Sequence, residues 1–175
     1  MTFVSRSLKL LDRAIMKLEE IILSWSIITI AVMIVGNVLS RTFFGTSWSF
    51  HQEVSQFAVI IATFMGISYA ARKGRHISMS AFYDLAPFKI RKALSIFIPA
   101  LTAIILFTFA YFAYHYMISV YHTSRVTTAL QVPAYLMSVF IPVGFTLGGI
   151  QFLRNMWINI KEKDVYLAMD RKDYT

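Results

Sequence analysis

From Val54 to Ala71 the chain runs for eighteen residues without Asp, Glu, Lys or Arg. Glu53 bounds this stretch on one side, and Arg72, Lys73, Arg75 and His76 bound it on the other. As a helix it rises about 27 Å, close to the roughly 30 Å hydrocarbon core of a bilayer. Three further uncharged runs accompany it, Ile21 to Ser40, Ala93 to Ser124 and a fourth that ends at Leu153. The apolar residues come in runs, not in alternating stripes, and make up 57% of the chain against 15% charged. The pattern predicts an all-α membrane protein with four transmembrane helices at about 21–43, 51–71, 90–122 and 132–153.

Charge fixes the expected orientation. Fifteen of the seventeen Lys and Arg residues fall before the first run, between the second and third, or after the fourth. Only Arg41 and Arg125 lie in the two remaining loops. Translocated loops are poor in Lys and Arg, so both termini are expected in the cytoplasm. The net charge of +8 is thereby assigned to membrane orientation, and no nucleic-acid partner is expected. Residues 1–20 place Val4, Leu8, Leu11, Ile15, Leu18 and Ile22 on one helical face, with Arg6, Lys9, Arg13, Lys17 and Glu20 opposite. That pattern predicts an amphipathic interfacial helix whose Arg6, Lys9, Arg13 and Lys17 meet anionic head groups. No short apolar segment with a small-residue cleavage site opens the chain, so the N-terminus is expected to be retained. Residues 154–175 read as a short polar cytoplasmic tail.

Within the runs, Ala58, Ala62, Gly66 and Ala70 recur every fourth residue, and Gly144 and Gly148 form a GxxxG pair. Small side chains let helix backbones approach closely in lipid, so both sets are candidate packing faces for a larger membrane subunit. Asn37 is expected to bond across to another helix or to backbone, since an unpaired amide in lipid is costly. Trp48 suits an aromatic belt, and Ser49 with Gln52 resembles a capping box opening a helix near Phe50. Pro133 can begin the fourth helix, while Pro142 is expected to kink it or free a carbonyl. The third run, 32 residues, would rise about 48 Å and must tilt, kink or project from the bilayer.

The chemistry of sites is sparse. With no Cys there is no disulfide, thiolate metal site or thiol nucleophile. No Asp, Glu, Lys or Arg lies inside the four uncharged runs, where a carrier would hold its ion or substrate. No enzyme activity, cofactor or metal site is predicted. His51, His115 and His122 lie toward one side, and paired histidines on neighbouring helices leave a haem-binding anchor of a redox enzyme as the alternative. Arg41, Trp48, Glu53 and Arg125 share the outer side as candidate docking residues for a soluble partner; Arg41 and Glu53 could instead pair with each other.

In order and spacing, several segments resemble one family. Trp48 with Glu53 leads into Gly66-Ile-Ser-Tyr-Ala-Ala-Arg-Lys-Gly-Arg-His-Ile-Ser-Met79, followed by Thr128-Ala-Leu-Gln-Val-Pro133 and Ile141-Pro-Val-Gly-Phe145. The chain resembles the small membrane subunit (Q component, DctQ-type) of tripartite ATP-independent periplasmic, or TRAP, transporters. Ser80 stands where many relatives carry an acidic residue, and Asp84 comes later. The resemblance implies an inner-membrane subunit without a substrate site of its own. Its implied partners are a large membrane subunit (M component), a periplasmic substrate-binding protein (P component) and the bilayer. It further implies sodium-coupled uptake of a carboxylate or sialic acid, with this subunit as scaffold for an elevator-type partner.

Overall fold

The computed structural model describes the backbone of residues 3–73, 87–161, 166–168 and 171–172, with side chains described for 14–72, 87 and 89–161. Five helices are present among them: α1 (Phe3–Phe44), α2 (His51–Lys73), α3 (Phe88–His122), the single turn α4 (Tyr135–Ser138) and α5 (Phe140–Lys161). Four segments are long and apolar enough to cross a membrane: Ala14–Phe44, His51–Arg72, Lys89–His122 and Tyr135–Lys161.

The predicted spans are recovered in number and order, with informative differences at their ends. α1 runs without interruption through residue 20, so residues 3–20 and the first span share one backbone helix of 42 residues. Before Gly36 no Gly or Pro interrupts this stretch, and nothing local stops the helix there. The fourth helix continues past Arg154 to Lys161. Arg154 is exposed while Asn155 and Asn159 are buried, so the polar composition marks a two-faced final turn and not a helix end. Pro142 does not sit in the middle of a helix. It is the third residue of α5, after Val139 closes α4 by donating its N–H to the Tyr135 carbonyl. First-turn N–H groups have no intrahelical partner, so proline costs nothing there. Pro133 likewise precedes α4 in an antiparallel bridge with Val126. Beyond the helices, the tail forms a short antiparallel ladder of β1 (Tyr166–Ala168) and β2 (Arg171–Lys172), pairing Tyr166 with Lys172 and Ala168 with Arg171. The tail was expected to be merely polar.

Hydroxyls inside the spans satisfy themselves locally. Ser24, Ser26, Thr42, Thr102, Thr108 and Thr146 each donate to the carbonyl four residues earlier, at 2.7–2.9 Å. In hydrocarbon this is the least costly state for a lone hydroxyl. Pro99 lies inside α3 and is buried. Its missing N–H leaves the Ser95 carbonyl without its helical donor, a defect that membrane helices absorb by local adjustment.

The chain packs as two compact units, residues 1–66 with 117–140 and residues 67–116 with 141–175. In the second unit Ala71, Ala103, Leu106 and Phe152 form the buried core, with Ile67, Phe107 and Phe145 packed against it. Ala103 is fully buried, and Gly148 and Gly149 of α5 are buried as well. A Cβ at Gly148 would lie 2.7 Å from Ile67 Cγ2, and one at Gly149 3.0 Å from the Phe107 ring. Glycine is required at both by contact, not by backbone conformation. In the first unit, Ala58 is buried and Gly66 faces Leu23 at an ordinary distance, 3.6 Å from a built Cβ.

Candidate partner interface

Two loops of the first unit, with the helix turns beside them, hold the candidate docking residues Arg41, Trp48, Glu53 and Arg125. The first joins α1 to α2. Asn37 Oδ1 accepts both the backbone N–H of Trp48 and the hydroxyl of Ser47, each at 2.9 Å. Ser40 Oγ donates to the Thr46 carbonyl at 3.0 Å. The Trp48 ring lies over Gly36, where a Cβ would come within 2.9 Å of Cη2 and Cζ3. It stacks on Phe50, with centroids 5.8 Å apart and planes 8° from parallel. The Trp48 carbonyl receives the His51 N–H at 3.3 Å and also meets His51 Nδ1. Asn37 therefore bonds to backbone, as its type at that depth predicts. Trp48 is a half-buried lock of the hairpin, which the belt reading had not foreseen. The lone Gly36, one residue before Asn37, was the available signal.

The second loop joins α3 to α4. Val126 and Pro133 bridge across it, Thr127 N–H donates to the Val132 carbonyl at 2.9 Å, and Val132 N–H donates to Thr127 Oγ1 at 3.1 Å. Ala134 N–H closes the base on the Arg125 carbonyl at 2.8 Å. Gln131 takes the left-handed conformation, φ +55°, and its amide donates to the Thr128 carbonyl at 3.2 Å. The tip thus turns its Ala129 and Leu130 N–H groups to one side. Glu53, in the first turn of α2, receives both: Oε1 from Ala129 at 2.6 Å and Oε2 from Leu130 at 2.9 Å. Adjacent N–H groups on a carboxylate are charge-assisted bonds, and an acid in the first turn also suits the helix dipole. Glu53 is therefore held by the second loop and is not paired with Arg41. Both its oxygens are engaged within the chain, and Arg41 is exposed in the last turn of α1. Arg125 is exposed at the loop base and lines an open recess of about 420 Å3 with Tyr121, His122, Ser124, Val126, Pro133 and Tyr135.

The remaining candidates divide. Ala58, Gly144 and Gly148 are buried within the chain, so their close contacts are with its own helices. Ala62, Gly66 and Ala70 are partly exposed. Lys17 is exposed, whereas the side chains of Arg6, Lys9 and Arg13 lie outside the described residues. Arg72 is buried at 2% exposure, and Lys73 (side chain), Arg75 and His76 lie outside the described residues. Sequence reasoning missed Glu19, Ser68, Gln151, Asn155 and Asn159, all buried. Asn159 Nδ2 donates to the Asn155 carbonyl and to its Oδ1, at 3.1 and 3.0 Å. Gly144, Gly148, Asn155 and Asn159 continue one face of α5, a spacing that could have revealed the pair. The histidines are not gathered: His51 is turned to the Trp48 carbonyl, His115 lies edge-on to Tyr111 and Tyr114, and His122 lies edge-on to Tyr121.

Residues 30–162 match the family model described as tripartite ATP-independent periplasmic transporters, DctQ component. The chain is 41% identical over 158 residues, 90% of its length and 82% of the relative's, to the ectoine TRAP transporter small permease protein TeaB of Halomonas elongata. It is 31% identical over 96 residues to the sialic acid TRAP transporter permease protein SiaT of Haemophilus influenzae. That match takes in 55% of this chain but only 16% of the longer relative. Both relatives are transport proteins, and neither supports a haem-binding anchor. The chain belongs to the DctQ family, the small permease components of TRAP transporters.

Proposed function

We propose that this chain scaffolds a large elevator-type permease subunit and that the complex takes up an organic acid with sodium, fed by a periplasmic binding protein. The observation that carries the scaffold reading is the absence of Asp, Glu, Lys and Arg from all four uncharged runs, where a carrier would hold its ion or substrate. The two relatives are named for different substrates, ectoine and sialic acid, which supports placing substrate choice in other subunits. Both termini are assigned to the cytoplasm from the Lys and Arg distribution, with the two described loops on the periplasmic side. Arg41 and Arg125, the exposed charges of the outer loops, are assigned to encounter with the binding protein.

Initial uptake into proteoliposomes, measured against binding-protein concentration at two sodium levels, tests the scheme. Arg41→Ala and Arg125→Ala should lower uptake at limiting binding protein, less so at high salt, and leave sodium dependence unchanged. Altered sodium stoichiometry in either would put this subunit in the coupling machinery and overturn the scaffold reading.

A further inference from the structure

One face of α2 carries several polar side chains that have no partner among the described residues. Gln52, Ser55, Gln56 and Val59 line an open recess of about 400 Å3 whose far wall is Ile30 and Ile34 of α1. Ser55 Oγ is buried and accepts and donates no hydrogen bond. The side chains of Gln52 and Gln56 are exposed and meet no polar partner among the described residues. Thr63, further along the same face, is exposed in the same way.

Depth makes this arrangement costly. The uncharged stretch of α2 is centred near Ala62, and Gln56 lies six residues from that centre, about 9 Å along the axis. A hydrocarbon core of roughly 30 Å extends about 15 Å to either side, so Gln56 and Ser55 lie within it. Lipid tails offer no hydrogen bond, and an amide exposed to them carries the full desolvation cost. The hydroxyls of Ser24, Thr102 and Thr108 avoid that cost by bonding to their own helix. A glutamine amide carries two donors and an acceptor, and here all remain open outward.

We infer that the α2 face bearing Gln52, Ser55 and Gln56 is the seat of a transmembrane helix of the large permease subunit, one that presents hydrogen-bonding side chains toward it. The inference deepens the scaffold reading and rests on it. The occupant is argued from the second relative: there, the segment matching this chain makes up only 16% of one longer permease polypeptide. The membrane neighbour of that segment is thus the remainder of a permease. A helix seated here would satisfy the two exposed amides and cover Ile30 and Ile34 together.

The test is co-expression of this chain with the large subunit of its own transporter. A photo-cross-linking amino acid at Gln56 should give an adduct with the large subunit, whereas the same probe at Trp25, on the exposed flank of α1, should give none or much less. In parallel, Gln52→Leu with Gln56→Leu should reduce co-purified large subunit about 10-fold or more, from two lost interhelical bonds at about 0.6–2 kcal/mol each. The isolated variant should keep or gain thermal stability, since its unpaired amides are gone. An adduct with a second copy of this chain, or with lipid alone, would overturn the assignment. So would wild-type recovery of the large subunit by the double variant. Failure of the wild-type chain to co-purify with any large permease would instead overturn the scaffold reading itself.

Discussion

At Gly148 and Gly66 the same residue type answers two different demands. A methyl at Gly148 would intrude on Ile67 Cγ2 at 2.7 Å, while one at Gly66 would touch Leu23 at an ordinary 3.6 Å. Overpacking costs about 1–3 kcal/mol, whereas replacing glycine by alanine in a helix gains about 1 kcal/mol. Gly148→Ala should therefore lose up to about 2 kcal/mol, and Gly66→Ala should match or exceed wild type. Thermal unfolding in one detergent, read for both variants, checks the order; equal melting temperatures would mean that Ile67 yields freely. Glu53 makes a separate claim. Glu53→Ala should expose the Ala129 and Leu130 amides to exchange while the Val132 amide, bonded to Thr127 Oγ1, keeps its protection. Hydrogen exchange resolved to the 126–134 peptide tests this, and unchanged protection at the tip would remove the clamp.

Among the elements, α3 sets the problem of length. Its span Lys89–His122, 34 residues, rises about 51 Å, well beyond a hydrocarbon core of roughly 30 Å. Tyr111, Tyr114, His115 and Tyr116 are all exposed about two-thirds of the way along. These are residues suited to a membrane–water boundary. A cysteine at Ser119 should react with a membrane-impermeant maleimide, and one at Thr102 should not; the chain has no cysteine of its own to interfere. Labelling at both positions would place water along most of the helix. The elements also mark what sequence can and cannot give. Span number and order were legible because hydropathy is a property of contiguous residues. The continuity of α1 was less so, since a change in side-chain pattern at residue 20 was read as a boundary although no Gly or Pro stops the helix. Pro142 was legible as an interruption of the fourth span, but its place in a first turn needed the break at Val139. The role of Glu53 was illegible locally, because its partners are backbone groups of Ala129 and Leu130, which no side-chain pattern announces.

For the whole molecule, orientation is the property on which the functional assignment turns. Cysteines at Thr46 and Thr127 should label from outside sealed right-side-out cells, and one at Lys161 should label only after permeabilisation. External labelling of Lys161 would sink the two-hairpin topology. Ser78, in the basic segment between the second and third spans, should behave like Lys161; it lies outside the described residues, so this expectation rests on charge distribution alone.

The clamp between Glu53 and the α3–α4 loop has a consequence for how the protein is made. Its partners are 76 and 77 residues further along the chain, beyond the entire third span. Chain emerges from the ribosome N-terminus first, so the first hairpin enters the membrane with the Glu53 carboxylate still unpaired. It stays so until the third span has been threaded and the loop has turned. Closing so distant a contact carries a loop-closure cost that adjacent pairs do not, so this pair forms late. During that interval the tip amides are open to proteases and membrane chaperones. A chain arrested after the second span should therefore keep its Trp48-locked first loop yet leave Glu53 without its partners. Occupation of Glu53 would then report completed insertion of the second half.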